Sequence, residues 1–326
     1  MGLESFLTME DSILITGANG FIARSLSKEL KKKNKFKKVL GTTRSLQQVD
    51  NYDRVFPIGD IEKIESWKVI LKDVHVVVHL AGRAHITREK FKNPLEKFRK
   101  VNRDATVKLA KECISAGVRR FIFVSSIGVL GEQKTGEVFT QDSIANPIEP
   151  YAISKYEAEV ELKKLAKDNH AFELVIIRPP LVYGPDAPGN FHRLVKLISL
   201  GLPLPFGAMN NYKTMVSLDE LTDFLVYCIE SGQVIGLSLL IGDKKNWSTS
   251  ELIQKIAILL GKSTYNIPIP VSLLKLLTMF IGMRSAIDKL NAQLVIDNHT
   301  ELKKLGWNSK IDPETAMENT IKNFHF

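Results

Sequence analysis

The sequence is poor in the residues that build metal sites and disulfide frameworks. Its 326 residues include only two cysteines, Cys113 and Cys228, and each lies inside an apolar, helix-like pattern far from the other. We therefore expect neither a disulfide nor a thiolate metal site. His75 and His79 are close in sequence, but they belong to a strand-like run and not to a helix that would place both imidazoles on one face. We predict no metal.

The sequence also lacks a long apolar run and an export signal. Its most apolar stretch, residues 271–283, is interrupted by Lys275, so it predicts a buried or amphipathic helix and not a membrane span. The first residues include acidic side chains where a signal peptide has basic ones. Phe6 stands where a myristoylation signal has Ser or Thr. We expect a cytoplasmic protein without membrane insertion.

Positive charge is in excess, with a formal net charge of +9. Basic residues concentrate in the run KELKKKNKFKK at 28–38, which closes a predicted helix, where cations complement the helix dipole. Nucleic-acid binding would require basic side chains interleaved with several aromatic residues, and Phe36 alone does not meet this requirement. We expect no nucleic-acid partner, whereas a phosphate-bearing small substrate would suit the charge.

Short β-branched runs alternate with longer helical patterns in the first half of the chain. The strand-like runs are 12–16, 37–43, 74–80, 119–126 and 172–179, and the helical patterns include 22–33, 97–116 and 151–167. Apolar strands separated by helices predict an α/β fold with a doubly wound parallel sheet of the Rossmann type. After about residue 180 the rhythm gives way to prolines and short elements. We therefore predict a tail at 1–10, a dinucleotide-binding domain at 11–179, and a smaller lobe, mainly substrate-binding, at 180–326.

The first strand runs directly into a glycine turn. Gly17, Gly20 and Ala23 form a GxxGxxA pattern that opens a helix. Such a turn lets backbone N–H groups approach a pyrophosphate at the positive end of the helix. Because the spacing differs from the GxGxxG fingerprint, the pattern alone is also compatible with a plain strand-to-helix turn.

The end of the second strand bears on the choice of cofactor. Folds that prefer NAD place an acid there to bind the ribose 2′-hydroxyl, while an Arg nearby accommodates the 2′-phosphate of NADP. Here the strand ends GTTRS, with Arg44 and no acid. The pattern favours NADP(H) over NAD(H), and a surface arginine without a ligand is the alternative.

A tyrosine and a lysine follow a proline at a predicted helix start. Pro150 fits the first turn of a helix, so Tyr151 and Lys155 lie one turn apart on one face. By itself the pair is also what a partly solvated tyrosine above a surface lysine would look like. Its meaning depends on the motifs around it.

Those motifs resemble the extended short-chain dehydrogenase/reductase family, which includes nucleotide-sugar epimerases, dehydratases and ketoreductases. The resemblance covers nearly the whole chain through GANGFIA (17–23), GDI (59–61), HLAG (79–82), VNRDAT (101–106), VSSIGVLGE (124–132), RPPLVYGP (178–185) and DNHTELKKLGW (297–307). Ala23 and Ala105 stand where Gly is usual. The resemblance implies that the cofactor is contacted by Gly17, Gly20, Phe21, Ile22, Asp60, Ile61, Ala81, Gly82, Tyr151 and Lys155, with Asp60 at the adenine.

The resemblance also assigns the catalytic residues to Ser126, Tyr151 and Lys155. Hydride transfer at a carbinol carbon needs a group that takes or gives the hydroxyl proton, and a tyrosine with a pKa of about 10 is a poor base at neutral pH. A nearby ammonium favours the phenolate. Lys155 is therefore expected to activate Tyr151 and to bind the nicotinamide ribose, and Ser126 to orient the reacting oxygen of the substrate.

A UDP-sugar is the substrate class that the resemblance implies. Asn190 corresponds to a position that contacts the diphosphate, and Lys213 stands where the family has an arginine that binds it. A lysine keeps the charge but loses the bidentate fork. Ordinary loop residues are the alternative reading of Asn190 and Lys213. The resemblance further implies a homodimer built from the helices near 97–116 and 151–167.

Departures from the family pattern narrow the reaction. Ile127 and Gly128 stand where dehydratases carry an acidic pair, which disfavours elimination, and Leu130 replaces the tyrosine usual in epimerases. Together with Arg44, this favours an NAD(P)H-dependent 4-ketoreductase. The closest resemblance is to the subgroup that reduces UDP-2-acetamido-2,6-dideoxy-hexos-4-ulose to UDP-N-acetyl-quinovosamine for surface polysaccharide synthesis. A UDP-hexose or UDP-N-acetylhexosamine 4-epimerase is the alternative. A catalytically silent scaffold is a minor one, since it would be expected to have lost Tyr151 or Lys155.

Overall fold

The computed structural model describes residues 11–84, 93–134, 136–263, 265–279 and 284–325. The predicted tail at 1–10 lies outside them. The strands are β1 (Ser12–Thr16), β2 (Lys38–Thr43), β3 (Arg54–Pro57), β4 (Val76–His79), β5 (Arg120–Val124), β6 (Glu173–Arg178), β7 (Leu181–Tyr183), β8 (Tyr212–Ser217), β9 (Ser238–Leu240) and β10 (Asn246–Ser248). All five predicted strands are present.

Helices alternate with these strands through the first half and dominate the second. They are α1 (Phe21–Lys33), α2 (Pro94–Arg99), α3 (Ala105–Ser115), α4 (Pro150–Asp168), α5 (Asn190–Ser199), α6 (Leu218–Glu230), α7 (Thr249–Leu259), α8 (Val271–Met279), α9 (Arg284–Asn291), α10 (His299–Lys304) and α11 (Pro313–Lys322). In the described part of the chain no helix is both long and apolar enough to cross a bilayer.

Seven parallel strands form the main sheet, in the order β3-β2-β1-β4-β5-β6-β9. The strand order reverses between β1 and β4. In doubly wound folds the ligand binds at this switch point, outside the carboxyl ends of the strands. The predicted Rossmann-type α/β fold is confirmed.

Alternating side chains of the strands bury both faces of the sheet. Ile13 and Val78 point to the face covered by α1 and α6, whereas Leu14 and Val77 point to the face covered by α3 and α4. Because neighbouring residues of a strand face opposite sides, continuous apolar runs such as SILIT are what a doubly covered sheet requires. The two cysteines are free, buried thiols that belong to these opposite faces.

The chain after residue 180 forms a second cluster of elements and also returns to the main sheet. A three-stranded sheet, β10-β8-β7, packs with α5, α7 and α11 around its own core. In contrast, β9 pairs with β6 and α6 packs against α1. The domain division at 179/180 stays a prediction.

Two local features departed from the expected pattern. Strand β3 was not predicted because it is a short, largely exposed edge strand that ends in proline, so it shows no apolar run. The predicted helix at 97–116 begins earlier, at Pro94, and contains a π-helical turn at Lys100–Asp104 between α2 and α3. Such turns are rare and occur frequently at functional sites.

Candidate active site

A groove opens at the carboxyl ends of β1, β2 and β4, at the switch point of the sheet. Seven of the predicted cofactor residues line it, namely Gly17, Gly20, Arg44, Asp60, Ile61, Ala81 and Gly82. Thr42, Thr43 and Val101 complete part of its wall. The structure therefore brings together residues that lie up to 84 positions apart in the sequence, from Gly17 to Val101.

The glycine turn is shaped for a close approach of backbone. Gly17 has φ +71°, and a Cβ there would lie 3.2 Å from the Ala81 Cα; a Cβ on Gly20 would lie 3.0 Å from the Gly17 carbonyl oxygen. Neither position accepts a larger residue without strain. Helix α1 starts immediately afterwards with no capping side chain and no acid in its first turn.

The first turn of α1 offers backbone groups and not side chains. The Ile22 side chain packs against the core of the main sheet. The Phe21 ring packs against the core of the second cluster and lies close to Gly184. Their predicted cofactor contacts stay predictions, which their backbone N–H groups would make. Uncapped N–H groups at a positive helix end fit a diphosphate. The turn and the groove thus fit a dinucleotide.

Arg44 and Asp60 face each other across the mouth of the groove. The Arg44 Nε lies 3.7 Å from the Asp60 Oδ1, and Lys63 Nζ lies 3.6 Å from the other carboxylate oxygen. Arg44 is 80% exposed, so its guanidinium is held only weakly and can turn towards a ligand.

The buried His79, which the sequence placed only in a strand, links the strand ends and the helix beside this groove by hydrogen bonds. His79 Nε2 lies 2.9 Å from the Thr106 hydroxyl, and Nδ1 lies 2.8 Å from the Thr16 hydroxyl. Thr106 donates its own proton to the Asn102 carbonyl, so Nε2 is the protonated nitrogen and Nδ1 accepts from Thr16. The Thr16 oxygen then accepts the Ala81 N–H at 3.0 Å. Burial lowers the pKa of His79 to about 3, so the imidazole is neutral.

Asn102 is a second residue that the sequence motif contained but did not single out. Its amide nitrogen donates to the Arg83 carbonyl and to the Ser154 hydroxyl, both at 3.0 Å, and its oxygen accepts the Arg83 N–H at 2.8 Å. The π-helical turn at Lys100–Asp104 positions this side chain. Asn102 therefore fixes the loop after β4 to the helix that carries Tyr151.

Ser126 and Lys155 lie at the carboxyl end of β5, and Tyr151 lies one turn before Lys155 on α4. Ser126 follows the strand, and its oxygen accepts the Gly128 N–H at 3.2 Å, which starts a 3₁₀ turn at Ile127–Leu130. This turn packs against the first turn of α4, where a Cβ on Gly128 would lie 3.4 Å from the Ala152 methyl. Helix α4 begins at Pro150, as predicted.

Lys155 is buried, with 4% of its surface exposed. Its Nζ donates to the Val124 carbonyl at 2.9 Å and lies 4.5 Å from the centroid of the Phe123 ring. Burial lowers the pKa of Lys155 to about 8, and the Glu159 carboxylate one turn further along opposes this shift. The site therefore holds a cation that is close to its titration point.

Tyr151 lies in the first turn of α4, four residues before Lys155, and its activation by that lysine stays a prediction. Burial raises the pKa of the Tyr151 phenol to about 12, and the ring packs edge-on against Phe98 with centroids 5.9 Å apart. Burial is the cause of this shift in the protein alone. A pKa of about 12 favours the neutral phenol at physiological pH in the protein alone.

A buried ion pair supports the same helix. Arg178 Nε and Nη2 lie 3.1 and 2.6 Å from the two carboxylate oxygens of Glu159. Both side chains are almost fully buried, and the pair joins the end of β6 to α4. This bidentate geometry fixes the rotation of α4, and hence the direction in which Tyr151 and Lys155 point.

The predicted substrate residues lie apart from the cofactor groove. Asn190 is exposed at the first position of α5. Lys213, on β8, donates from Nζ to the Leu290 carbonyl at 2.9 Å, and burial lowers its pKa to about 8. Leu290 also accepts from the Asn211 amide at 3.0 Å, so Lys213 takes part in anchoring the end of α9.

Comparisons with known proteins place this geometry in a family. The profile of the "NAD dependent epimerase/dehydratase family" matches residues 13–226. A UDP-glucose 4-epimerase of Vibrio cholerae is 39% identical over 313 residues, which cover 95% of this chain and 93% of that protein. An N-acetyl-alpha-D-glucosaminyl-diphospho-ditrans,octacis-undecaprenol 4-epimerase of Escherichia coli O157:H7 is 25% identical over 87% of this chain and 85% of that protein.

Solved structures agree on the fold. A UDP-glucuronic acid 4-epimerase of Bacillus cereus in complex with NAD superposes with a TM-score of 0.76 at 22% identity, covering 96% of this chain and 98% of that one. A UDP-glucose 4-epimerase of Thermotoga maritima with UDP-glucose gives the same values. The profile match and the Vibrio cholerae relative together show that the chain is an enzyme that belongs to the NAD-dependent epimerase/dehydratase family, whose members act on nucleotide sugars.

Proposed function

We propose that the protein is a 4-epimerase of a UDP-hexose or UDP-N-acetylhexosamine. The observation that carries the proposal is the relative of Vibrio cholerae, named a UDP-glucose 4-epimerase, which is 39% identical over nearly the full length of both chains. The residues needed to exchange a proton at a sugar hydroxyl, Ser126, Tyr151 and Lys155, are all present around the end of β5. The sequence alone favoured a 4-ketoreductase and gave the 4-epimerase as the alternative. We now rank the 4-epimerase first.

The chain's own residues divide the chemistry between them. The glycine turn and the groove around Arg44, Asp60 and Ala81 would hold the dinucleotide, which when bound would supply hydride transfer at C4 of the sugar. Oxidation requires Tyr151 as the phenolate, which positive charge from Lys155 favours. In that form Tyr151 takes the C4 hydroxyl proton, and the resulting phenol gives it back during reduction, while the Ser126 hydroxyl orients the C4 oxygen. Lys155 supplies positive charge beside the phenol, and its pKa of about 8 leaves the ammonium protonated at neutral pH.

The 4-ketoreductase predicted from the sequence stays as a second candidate, because two residues favour it. Leu130 is a buried aliphatic side chain where epimerases usually have a tyrosine, so it offers no hydroxyl to a sugar or diphosphate. Arg44 stands at the groove mouth where an exchangeable NADP(H) would place its 2′-phosphate.

Cofactor stoichiometry distinguishes the two reactions. The purified protein is incubated with UDP-glucose or UDP-GlcNAc, and separately with UDP-2-acetamido-2,6-dideoxy-hexos-4-ulose and reduced nicotinamide. For the epimerase we expect interconversion of C4 epimers with no net change in nicotinamide absorbance. One cofactor oxidised for each 4-keto sugar consumed, without epimerisation, would instead establish the ketoreductase.

Cofactor selection is a finer proposal: we infer that Arg44 favours NADP(H) within this NAD-dependent family. Arg44→Ala is expected to weaken NADPH binding about tenfold, the loss of one charge-assisted hydrogen bond, and to leave NADH binding nearly unchanged. Lys63→Ala is the matched control, because Lys63 also faces Asp60. Equal losses for NADPH and NADH in the Arg44 variant would contradict the 2′-phosphate role.

Substrate contacts and assembly also remain proposals. We place the diphosphate near Asn190 and Lys213, which requires the Lys213 ammonium to leave the Leu290 carbonyl and bind the substrate. Steady-state kinetics of Lys213→Met and Lys196→Met would test the substrate contact. We expect KM for the UDP-sugar to rise in the Lys213 variant and to stay unchanged in the Lys196 variant.

The homodimer would use α3 and α4, which lie side by side. Arg99 and Arg103 both pair with Glu157 near this surface.

A further inference from the structure

Helix α8 carries apolar side chains on two faces. Leu274 packs inward against Met209 and Ile287. Leu273, Leu276 and Leu277 lie on the other side, and each is roughly half exposed. The spacing i, i+3 and i+4 places these three leucines in one stripe on the helix surface. A helix of an isolated globular protein would carry polar residues there.

The apolar surface continues into the segment before α8 and across to α5. Leu204 N donates to the Tyr265 carbonyl and Ile267 N donates to the Leu204 carbonyl, which joins residues 202–207 to residues 265–267. Leu202, Tyr265 and Ile267 are exposed along this ladder. Eleven of the eighteen large apolar side chains that are exposed in the described chain lie within residues 187–218 and 252–287, which shows that the exposure is concentrated here.

These same two segments contain no acidic residue. The chain has 36 acidic residues in 326, about one in nine, yet residues 187–218 and 252–287 have none and carry basic residues throughout. On α5 the exposed side chains of Arg193 and Lys196 lie beside Leu197 and Leu200, again at helical spacing. At the edges of this surface Lys275 pairs with Asp288 and Lys255 pairs with Glu314 and Glu318.

We propose that this surface, formed by α5, the 202–207 and 265–267 ladder and α8, docks the protein on the surface of an anionic lipid membrane. Exposed leucines on α5 and α8, combined with the exposed basic residues Arg193, Lys196 and Lys262, are the composition of an interfacial membrane-binding face. The apolar side chains enter the headgroup region, and Arg193, Lys196 and Lys262 lie at the level of the anionic headgroups. The attachment is peripheral.

The charges favour a lipid surface over a second copy of this chain. A symmetric dimer through this surface would bring Arg193, Lys196 and Lys262 of both copies together without a carboxylate between them. The surface is also rich in leucine and isoleucine, whereas the residues that dominate protein interfaces are tryptophan, tyrosine and arginine. A fluid anionic layer accepts such a surface without a complementary shape.

Vesicle co-sedimentation of the full chain tests the proposal. Vesicles of phosphatidylcholine alone are compared with vesicles that also contain phosphatidylglycerol, at low and high salt. We expect binding to the anionic vesicles that falls as salt rises. Leu276→Gln/Leu277→Gln and Arg193→Gln/Lys196→Gln are each expected to weaken this binding by about tenfold.

Two matched variants control for exposure and for charge. Val69→Gln/Ile144→Gln removes two apolar side chains elsewhere that are more exposed than Leu276 and Leu277, and Lys32→Gln/Lys33→Gln removes the same charge from the basic run of α1. Both are expected to bind vesicles like the wild type, and all variants must keep the wild-type melting temperature and turnover. Absence of binding to anionic vesicles, or an equal loss in the control variants, would overturn the proposal. It would also fall if the leucine variant changed the oligomeric mass and left vesicle binding intact.

Discussion

At the scale of single residues, the site pairs a phenol that holds its proton with a lysine that is close to losing one. Burial raises the pKa of Tyr151 to about 12 and lowers that of Lys155 to about 8. Both shifts have one cause, since a low-dielectric pocket penalises the phenolate and the ammonium alike. The protein alone thus stores the proton on Tyr151, and a substrate oxygen has to draw it out.

The acid role of Tyr151 predicts a selective loss. Tyr151→Phe keeps the ring against Phe98 but removes the proton, so turnover should fall by about 10²- to 10⁴-fold, the range for one general acid–base group. Cofactor affinity, measured by fluorescence titration, should stay near the wild-type value. Tyr156→Phe, on the same helix, is the control and should be fully active. A fully active Tyr151 variant would remove the assignment.

The depressed pKa of Lys155 predicts a stability difference above neutral pH. Between a folded pKa of about 8 and an unfolded pKa near 10.4, the unfolded chain binds more protons, so this lysine makes stability rise with pH. The cofactor-free wild type should therefore gain about 2–3 kcal/mol relative to Lys155→Met between pH 7.5 and 10. Urea unfolding at both pH values measures this gain. Parallel stability curves for the two proteins would show that Lys155 is not desolvated as described.

At the scale of elements, α4 takes its orientation from the buried pair between Glu159 and Arg178. Removing one partner leaves an uncompensated charge, so Arg178→Met should destabilise the fold by about 3–5 kcal/mol. The double variant Glu159→Leu/Arg178→Met removes both charges and should recover most of that loss. A double-mutant cycle by denaturant unfolding gives the coupling directly. If the two losses simply add, the pair does not act as a unit in the folded protein.

The elements also show what the sequence could and could not predict. The five apolar strands, the glycine turn and the start of α4 followed from local patterns, because each depends on residues that are neighbours in the chain. The roles of His79 and Asn102 did not, because they arise from contacts with Thr16, Thr106 and Arg83 that only the assembled sheet creates. The same reason hid the pKa of Tyr151, since burial is a property of the packed site.

At the scale of the whole molecule, buried groups of opposite charge shape the dependence of stability on pH. Glu220 is almost fully buried at the start of α6, and burial, followed by the nearby carboxylates of Asp243 and Asp223, raises its pKa to about 7. Burial likewise raises the pKa of Asp243 to about 6. These acids favour the folded state when protonated, whereas Lys155 favours it when neutral, so together the three groups weaken the fold most near pH 7 to 8.

Glu220 gives the clearest test of this curve. Between an unfolded pKa near 4.3 and a folded pKa of about 7, the folded protein binds more protons, so stability falls as pH rises through this window. Glu220→Gln removes the titration, and at pH 8 it should be about 2–3 kcal/mol more stable than the wild type. At pH 4.5 the two should be nearly equal, because the wild-type carboxyl is then protonated. Asp219→Asn, at the exposed neighbouring position, is the control and should follow the wild type in urea unfolding at both pH values. A constant difference between Glu220→Gln and the wild type at the two pH values would mean that the carboxylate is solvated, and that the pH profile of the fold has another origin.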